Sequence, residues 1–356
     1  MNPLIFDGHN DTLLSLHLRE RGGGRGFFER SEVGHLDLPR AREGGFGGGF
    51  FAVFVPAPGP EQDGPLKSGP GVVVTADGYE VPLPPPLDPD YARRTALSVM
   101  ARLFRLEEAA AGRVKVVRTV DELEACLRGG VLAAVLHIEG AEAIDPELDA
   151  LEVFYRAGLR SLGPVWSRPN AFGHGVPFAY PRSPDTGPGL TDAGRALVRA
   201  CNRLGVMLDL SHVNERGFWD VAGLTDAPLV ATHSGVHAIC PSTRNLTDKQ
   251  LDAIGESDGM VGVTFTVSDL RPDGHDEPDT PLGLLADHVD YLVSRIGIDR
   301  VGFGSDFDGT TVPRPLGDVT GLPRLLDTLR ARGYDDAALR KIAHENWARV
   351  LRKTWT

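Results

Sequence analysis

Eight short runs, apolar at nearly every position, constrain the fold of this chain more than any other feature. They lie at Leu4–Phe6, Gly49–Val55, Val131–Ile138, Leu159–Trp166, Val206–Leu210, Leu229–Thr232, Met260–Val267 and Val301–Gly304. A run that is apolar throughout is buried on both faces, as parallel strands are; a half-exposed strand would alternate instead. Helix-like stretches at Tyr91–Gly112, Pro146–Ala157, Thr191–Leu204, Asp248–Ile254 and Leu282–Ile296 separate most of the runs. Thr191 stands as an N-cap, with Asp192 in the first turn, where an acceptor and a negative charge meet free N–H groups. Strands alternating with helices predict a parallel α/β fold. Eight of them predict a (β/α)8 TIM barrel, with a doubly wound open sheet as the alternative.

Two Pro- and Gly-rich segments interrupt the alternation, Pro56–Asp90 and Pro169–Gly189. The first is long for a plain connection and reads as an insertion, a kind of loop that often serves as a lid. Asp336–Lys353 reads as a closing helix. The glycine run Gly44–Gly49 lacks the Lys-Ser/Thr of a phosphate-binding loop and reads as close packing at the second strand. Barrels commonly exceed about 200 residues as one domain. Residues 1–356 therefore read as a single catalytic barrel carrying the 56–90 insertion.

Acidic residues number 49 and basic residues 37, a formal net charge of −12. That argues against a nucleic-acid partner, which needs clustered Lys and Arg to neutralise phosphates. Cys126, Cys201 and Cys240 are scattered and form no C-x-x-C pair. So sparse and odd a count fits a reducing compartment. The start, MNPLIFDGHND, has neither the basic nor the apolar region of a secretory signal. No run approaches the roughly 18–20 apolar residues of a membrane helix. The expectation is a cytoplasmic protein without a membrane partner.

The strand runs end in polar residues of one kind: Asp7-Gly8-His9-Asn10-Asp11, His137-Ile138-Glu139-Gly140, Asp209-Leu210-Ser211-His212, Thr232-His233-Ser234-Gly235 and Gly304-Ser305-Asp306-Phe307-Asp308-Gly309. In a barrel these ends meet at the C-terminal rim, where active sites lie. His, Asp and Glu together make a donor set for a metal such as zinc. His9 and Asp11, two apart on an extended segment, share a face and reach one ion. His212 and His233 are further ligand candidates, and His137, inside its strand, has a supporting or structural role. His174 faces the site or solvent, and His237 bonds locally. His17, His35, His275, His288 and His344 have no convergent partners and read as surface or capping residues. Six candidate ligands exceed one tetrahedral zinc and suit two ions sharing a bridging carboxylate.

Taken together with Arg244-Asn245 and the C-terminal Ile342-Ala343-His344-Glu345-Asn346-Trp347-Ala348-Arg349-Val350, these segments resemble the membrane (renal) dipeptidase family of zinc metallopeptidases. The resemblance runs from residue 5 to about residue 352. It implies an amidohydrolase-type barrel of the metal-dependent hydrolase class, holding two zinc ions. By motif, His9 and Asp11 bind one zinc, with Asp306 on or close to it. His212 and His233 bind the second, and Glu139 bridges both. The catalytic residues implied are Glu139 and Asp306, the latter shuttling a proton from water to the leaving amine. Arg244 is implied to grip the C-terminal carboxylate of a dipeptide, as a bidentate guanidinium can. The implied partners are a small dipeptide, including one with a C-terminal D-residue, and a second copy in a homodimer.

One departure stands out. Where the family commonly has a His after the fourth strand, this chain has Trp166, whose indole offers a single N–H donor. Arg168, Asn170 or His174 are the candidates to replace the missing donor. Trp166 and His174 are accordingly placed among the substrate-binding residues. Two further readings follow. One is a hydrolase of another small amide or cyclic amide on the same di-zinc barrel; the other is a non-catalytic metal-binding barrel.

Overall fold

The computed structural model describes residues 2–18, 22, 24–59, 71–75 and 77–355. Each of the eight apolar runs contributes a strand: β1 Ile5–Asn10, β2 Phe46–Phe54, β3 Leu132–Glu139, β4 Leu159–Gly163, β5 Met207–Leu208, β6 Val230–Ser234, β7 Met260–Thr264 and β8 Val301–Gly304. β1 to β5 lie side by side in sequence order, and β6 to β8 form a second arc; every pairing within them is parallel. Parallel bridges join the arcs at both seams, Asp209 to Val230 and Asn10 to Phe307. That ring order favours the barrel over the open sheet. β4 ends at Gly163, short of the run that extends to Trp166, because Pro164 has no N–H to give the ladder.

Alternation across the strands produces two cores. Phe6, Phe50, Ala133, Val135, Met207, Val230 and Met260 pack together inside the ring with Trp347 of the closing helix. Ile5, Phe51, Ala134, Leu136 and Ile138 face outward onto the helices. Gly8 and Gly302 make room for Trp347. A Cβ on either would come within 2.6 Å and 2.8 Å of its ring. The closing helix itself is three pieces, Asp336–Arg340, a π-helical turn Lys341–Glu345, and Asn346–Thr354.

Leu282–Ile296 is helical as expected, and Thr191 caps Asp192–Leu204 by accepting from the Gly194 N–H at 3.0 Å. Helices at Val120–Gly129, Glu215–Ala222 and Leu322–Ala331 were not foreseen. Within the 56–90 insertion, Val73–Val74 and Tyr79–Val81 form a hairpin that pairs antiparallel with Phe178–Tyr180 of the loop after β4. Residues 60–70 and 76 of that insertion lie outside the described residues. No described helix is long and apolar enough to cross a membrane.

Candidate metal centre

The centre is assembled from strand ends. On β3, Ala133 and Val135 face the inner core. The same parity carries His137 and Glu139 toward the barrel mouth. Glu139 Oε1 lies 2.9 Å from His212 Nε2 and 3.6 Å from His233 Nε2; its Oε2 lies 3.6 Å from His9 Nε2. His9 Nε2 is 3.8 Å from Asp11 Oδ2. Donor atoms of His9, Asp11 and Asp306 lie within 4.8 Å of one another. All six predicted ligands therefore meet in one cluster, buried except for the half-buried Asp306.

Several features fit a metal. Both nitrogens of the fully buried His9 lack a hydrogen-bond partner among the described residues. The Nε2 atoms of His212 and His233 face each other at 3.1 Å, an approach suited to a shared electron-pair acceptor. Asp11 and Asp306 crowd one point beside Gly309, where a Cβ would meet Asp11 Oδ2 at 2.2 Å and Asp306 Oδ1 at 2.5 Å. Asp306 and Asp308 hold φ of +58° and +68°, left-handed conformations that are costly for residues with a side chain and concentrate at functional sites.

The electrostatics follow from burial. Burial alone would push Glu139 up, but His9 and His212 outweigh it and hold the carboxyl well below the usual range. Burial pushes Asp306 well above that range; His9 opposes the shift, while Asp11 and Glu139 add to it. Burial and nearby Arg244 bring His212 down to about 4, so its ring is neutral and its lone pair available. Burial would lower His9, but Glu139 and Asp11 outweigh it and hold its ring well above the usual range; a bound hard-to-borderline cation would take that proton's place among the carboxylates.

Supporting groups orient the rings. Ser167 Oγ lies 3.0 Å from His212 Nδ1, and Thr232 Oγ1 lies 2.8 Å from His233 Nδ1. Asp209 in turn accepts from Thr232 Oγ1 at 2.6 Å, Ser211 Oγ at 2.6 Å, Thr232 N at 2.9 Å and Ser211 N at 3.1 Å. Asp209 stands two residues before Ser211 at the end of its strand run, but its bonds to Thr232 depend on a strand distant in sequence. His137 bonds to Ser161 Oγ at 2.9 Å, a structural placement.

The remaining predicted residues divide. Arg244 is buried, donating Nη1 to Ser211 O and Nη2 to His233 O at 3.2 Å, beside the two ligand imidazoles. Trp166 packs its half-buried ring against His212, centroids 5.9 Å apart. His174 is half-buried and has no hydrogen bond or ion pair among the described residues. Arg168 and Asn170 bond main-chain carbonyls. Arg168 is committed to Val55 O at 3.1 Å, and Asn170 donates to Pro164 O at 2.9 Å. Two of the histidines read as surface or capping residues have partners distant in sequence. His288 is fully buried, accepting from Val236 N at 3.0 Å and bonding Leu270 O at 3.0 Å. His35 Nδ1 accepts the Asp308 N–H at 2.9 Å, tying an early loop to the strained turn after β8. Each is satisfied by main chain brought near only by folding.

A family model described as membrane dipeptidase (peptidase family M19) matches residues 2–356. Over 256 residues, 72% of this chain and 94% of its relative, the sequence is 51% identical to an uncharacterized protein of the pqqA 5′ region of Klebsiella pneumoniae. The crystal structure of a metallopeptidase from Rhodobacter sphaeroides, liganded with a phosphinate mimic of the dipeptide L-Ala-D-Ala, superposes with a TM-score of 0.93. The two are 52% identical, and the match covers 100% of both chains. A probable dipeptidase from Pseudomonas aeruginosa, 23% identical, shares the fold with a TM-score of 0.79 over 99% of this chain and 96% of that one. With the whole chain matched and the metal-type cluster at its barrel mouth, the protein belongs to the membrane dipeptidase family, peptidase family M19.

Proposed function

We propose that the chain is a binuclear zinc dipeptidase that hydrolyses the peptide bond of dipeptides, including those with a C-terminal D-residue. One observation carries the reading: Glu139 divides its two oxygens, one toward His212 and His233 and the other toward His9. A carboxylate so placed offsets the repulsion of two cations. His9, Asp11 and Asp306 would hold one ion, His212 and His233 the other, and Glu139 both. When bound, the ions polarise the substrate carbonyl and lower the pKa of the attacking water. Asp306, whose carboxylate lies with the donor atoms of His9 and Asp11, would take the proton of that water and pass it to the leaving amine nitrogen. Arg244 binds the C-terminal carboxylate and fixes where the single peptide bond lies. The ligand of the Rhodobacter sphaeroides relative, a mimic of L-Ala-D-Ala, supports the substrate class. The cysteines are free and buried, which supports a reducing, cytoplasmic setting.

The test is metal analysis beside dipeptide hydrolysis. Two zinc ions per chain and loss of activity with a chelator are expected. Glu139→Gln should lose metal and at least about a hundredfold in kcat/KM, the scale of large electrostatic contributions to catalysis. Full activity with one ion per chain would overturn the binuclear reading.

A further inference from the structure

We infer that Phe54, Trp166 and Phe178 form a pocket wall beside His212 that selects dipeptides with an uncharged, apolar side chain, and that the buried Arg168–Glu142 pair holds this wall in place. The inference rests on the dipeptidase reading and adds the side-chain class together with the residues that set it.

The wall is built from three separate pieces of chain. Phe54 ends β2, Trp166 lies in the loop after β4, and Phe178 begins the strand paired with the insertion hairpin. Trp166 stands 4.9 Å from the Phe54 ring and 5.7 Å from the Phe178 ring, both edge-on. Trp166 and Phe178 meet the His212 ring at 5.9 Å and 6.2 Å. Phe50 and Phe303, aromatic residues of the interior, are 0% exposed, whereas Phe54 keeps 8%. Trp166 and Phe178 are only half-buried. Aromatic surface left partly open against a candidate metal ligand is the lining of a ligand pocket. A carboxylate laid on such rings loses water and gains no partner, and a cation meets the Arg168 guanidinium already lying 5.1 Å from the Trp166 ring.

Behind the wall, the Arg168 guanidinium carbon sits 5.1 Å from the Trp166 ring and 5.9 Å from the Phe54 ring. Arg168 Nη1 donates to Val55 O at 3.1 Å and lies 3.6 Å from Glu142 Oε1. One side chain thus joins the end of β2, the loop after β4 and the turn after β3. The two charges are 3% and 4% exposed. Buried charges are costly unless each compensates the other, so losing either partner frees the rings they support. Arg168 and Glu142 are positioning residues, acting through Trp166 and Phe54.

The experiment uses the metal-loaded full chain and dipeptides whose two positions are varied in turn among Gly, Ala, Leu, Asp and Lys. At one position, Leu should exceed Asp and Lys in kcat/KM by about tenfold or more, the usual worth of an apolar pocket. Trp166→Ala should erase that ratio, chiefly through KM, and Trp166→Phe should keep most of it. Arg168→Met should lose the ratio with its metal content intact; if it fails to fold, Glu142→Gln serves as the second variant. Calorimetric binding of phosphinate dipeptide mimics should show the same preference without turnover. Cleavage of all side chains at equal rates, or an unchanged ratio in Trp166→Ala, overturns the pocket and leaves the dipeptidase reading standing. Failure to cleave any dipeptide with both metals bound overturns that reading, and the pocket with it.

Discussion

Gly309→Ala tests the metal centre at a residue that supplies no ligand. Gly309 does not hold the positive φ that would itself exclude alanine, so the backbone accepts the change. The added methyl carbon is the perturbation. It would stand 2.2 Å from Asp11 Oδ2 and 2.5 Å from Asp306 Oδ1, where ordinary contact begins near 3.4 Å. The difference, 3.4 less 2.2 and 3.4 less 2.5, requires retreats of about 1.2 Å and 0.9 Å. Carboxylate tips rotate readily when they carry nothing, so metal-free protein should melt within a few degrees of the parent. A metal site tolerates only about 0.2 Å in its ligand distances. The ion held by Asp11 and Asp306 should therefore be lost, taking metal content from about two to about one per chain. Misplacement on the ångström scale costs about a hundredfold in rate, and kcat/KM should fall by at least that. The assay is elemental analysis of dialysed protein beside dipeptide kinetics. Two retained ions with kcat/KM within a factor of about three would show that Asp11 and Asp306 bind no metal.

Three further outcomes follow from the geometry. Asp209→Asn turns one acceptor into a donor facing Thr232 and Ser211. It should cost about 2–4 kcal/mol in urea unfolding and loosen metal through His233; unchanged stability and metal content would refute the supporting role. Arg244→Ala should reduce kcat/KM on free dipeptides by about a hundredfold while changing the already poor turnover of amidated dipeptides little. Equal losses on both would remove Arg244 as a carboxylate reader. Burial pushes His288 down to about 4 from 6.5. The unfolded chain therefore binds a proton that the folded chain refuses between those values, and stability is lost as pH falls from 6.5 toward 4. The full effect is about 3 kcal/mol; in metal-free protein, His288→Gln should flatten that dependence, and an identical pH profile of the urea midpoint would refute it.

Much of the barrel was legible because its signal is local. A run such as Val131–Ile138 must be buried on both faces wherever it goes. Its neighbours in sequence carry the polar residues that emerge at the rim, so the strand-end segments holding His9, Asp11, Glu139, His212, His233 and Asp306 could be marked before any contact was known, and the family resemblance implied their roles as ligands. Glycine-rich β2 read correctly as close packing, for a Cβ on Gly48 would strike Ala133 O at 2.2 Å. The helix Glu215–Ala222 escaped because its buried face is only Gly217, Phe218 and Val221, too sparse a stripe to read as helical.

What the chain could not reveal by itself is what depends on partners distant in sequence. His288 and His233 are the same residue type, and both are buried. His288 meets only the main chain of Val236 and Leu270, whereas His233 meets Glu139 and His212. The Arg168–Glu142 pair, the Phe178 strand and the crowding at Gly309 likewise exist only once separate loops close on one another. Burial pattern is written in neighbouring residues and survives in the unfolded string. Direction, distance and charge compensation at a site belong to the packed barrel, where groups far apart along the chain come within a few ångströms and change one another's chemistry.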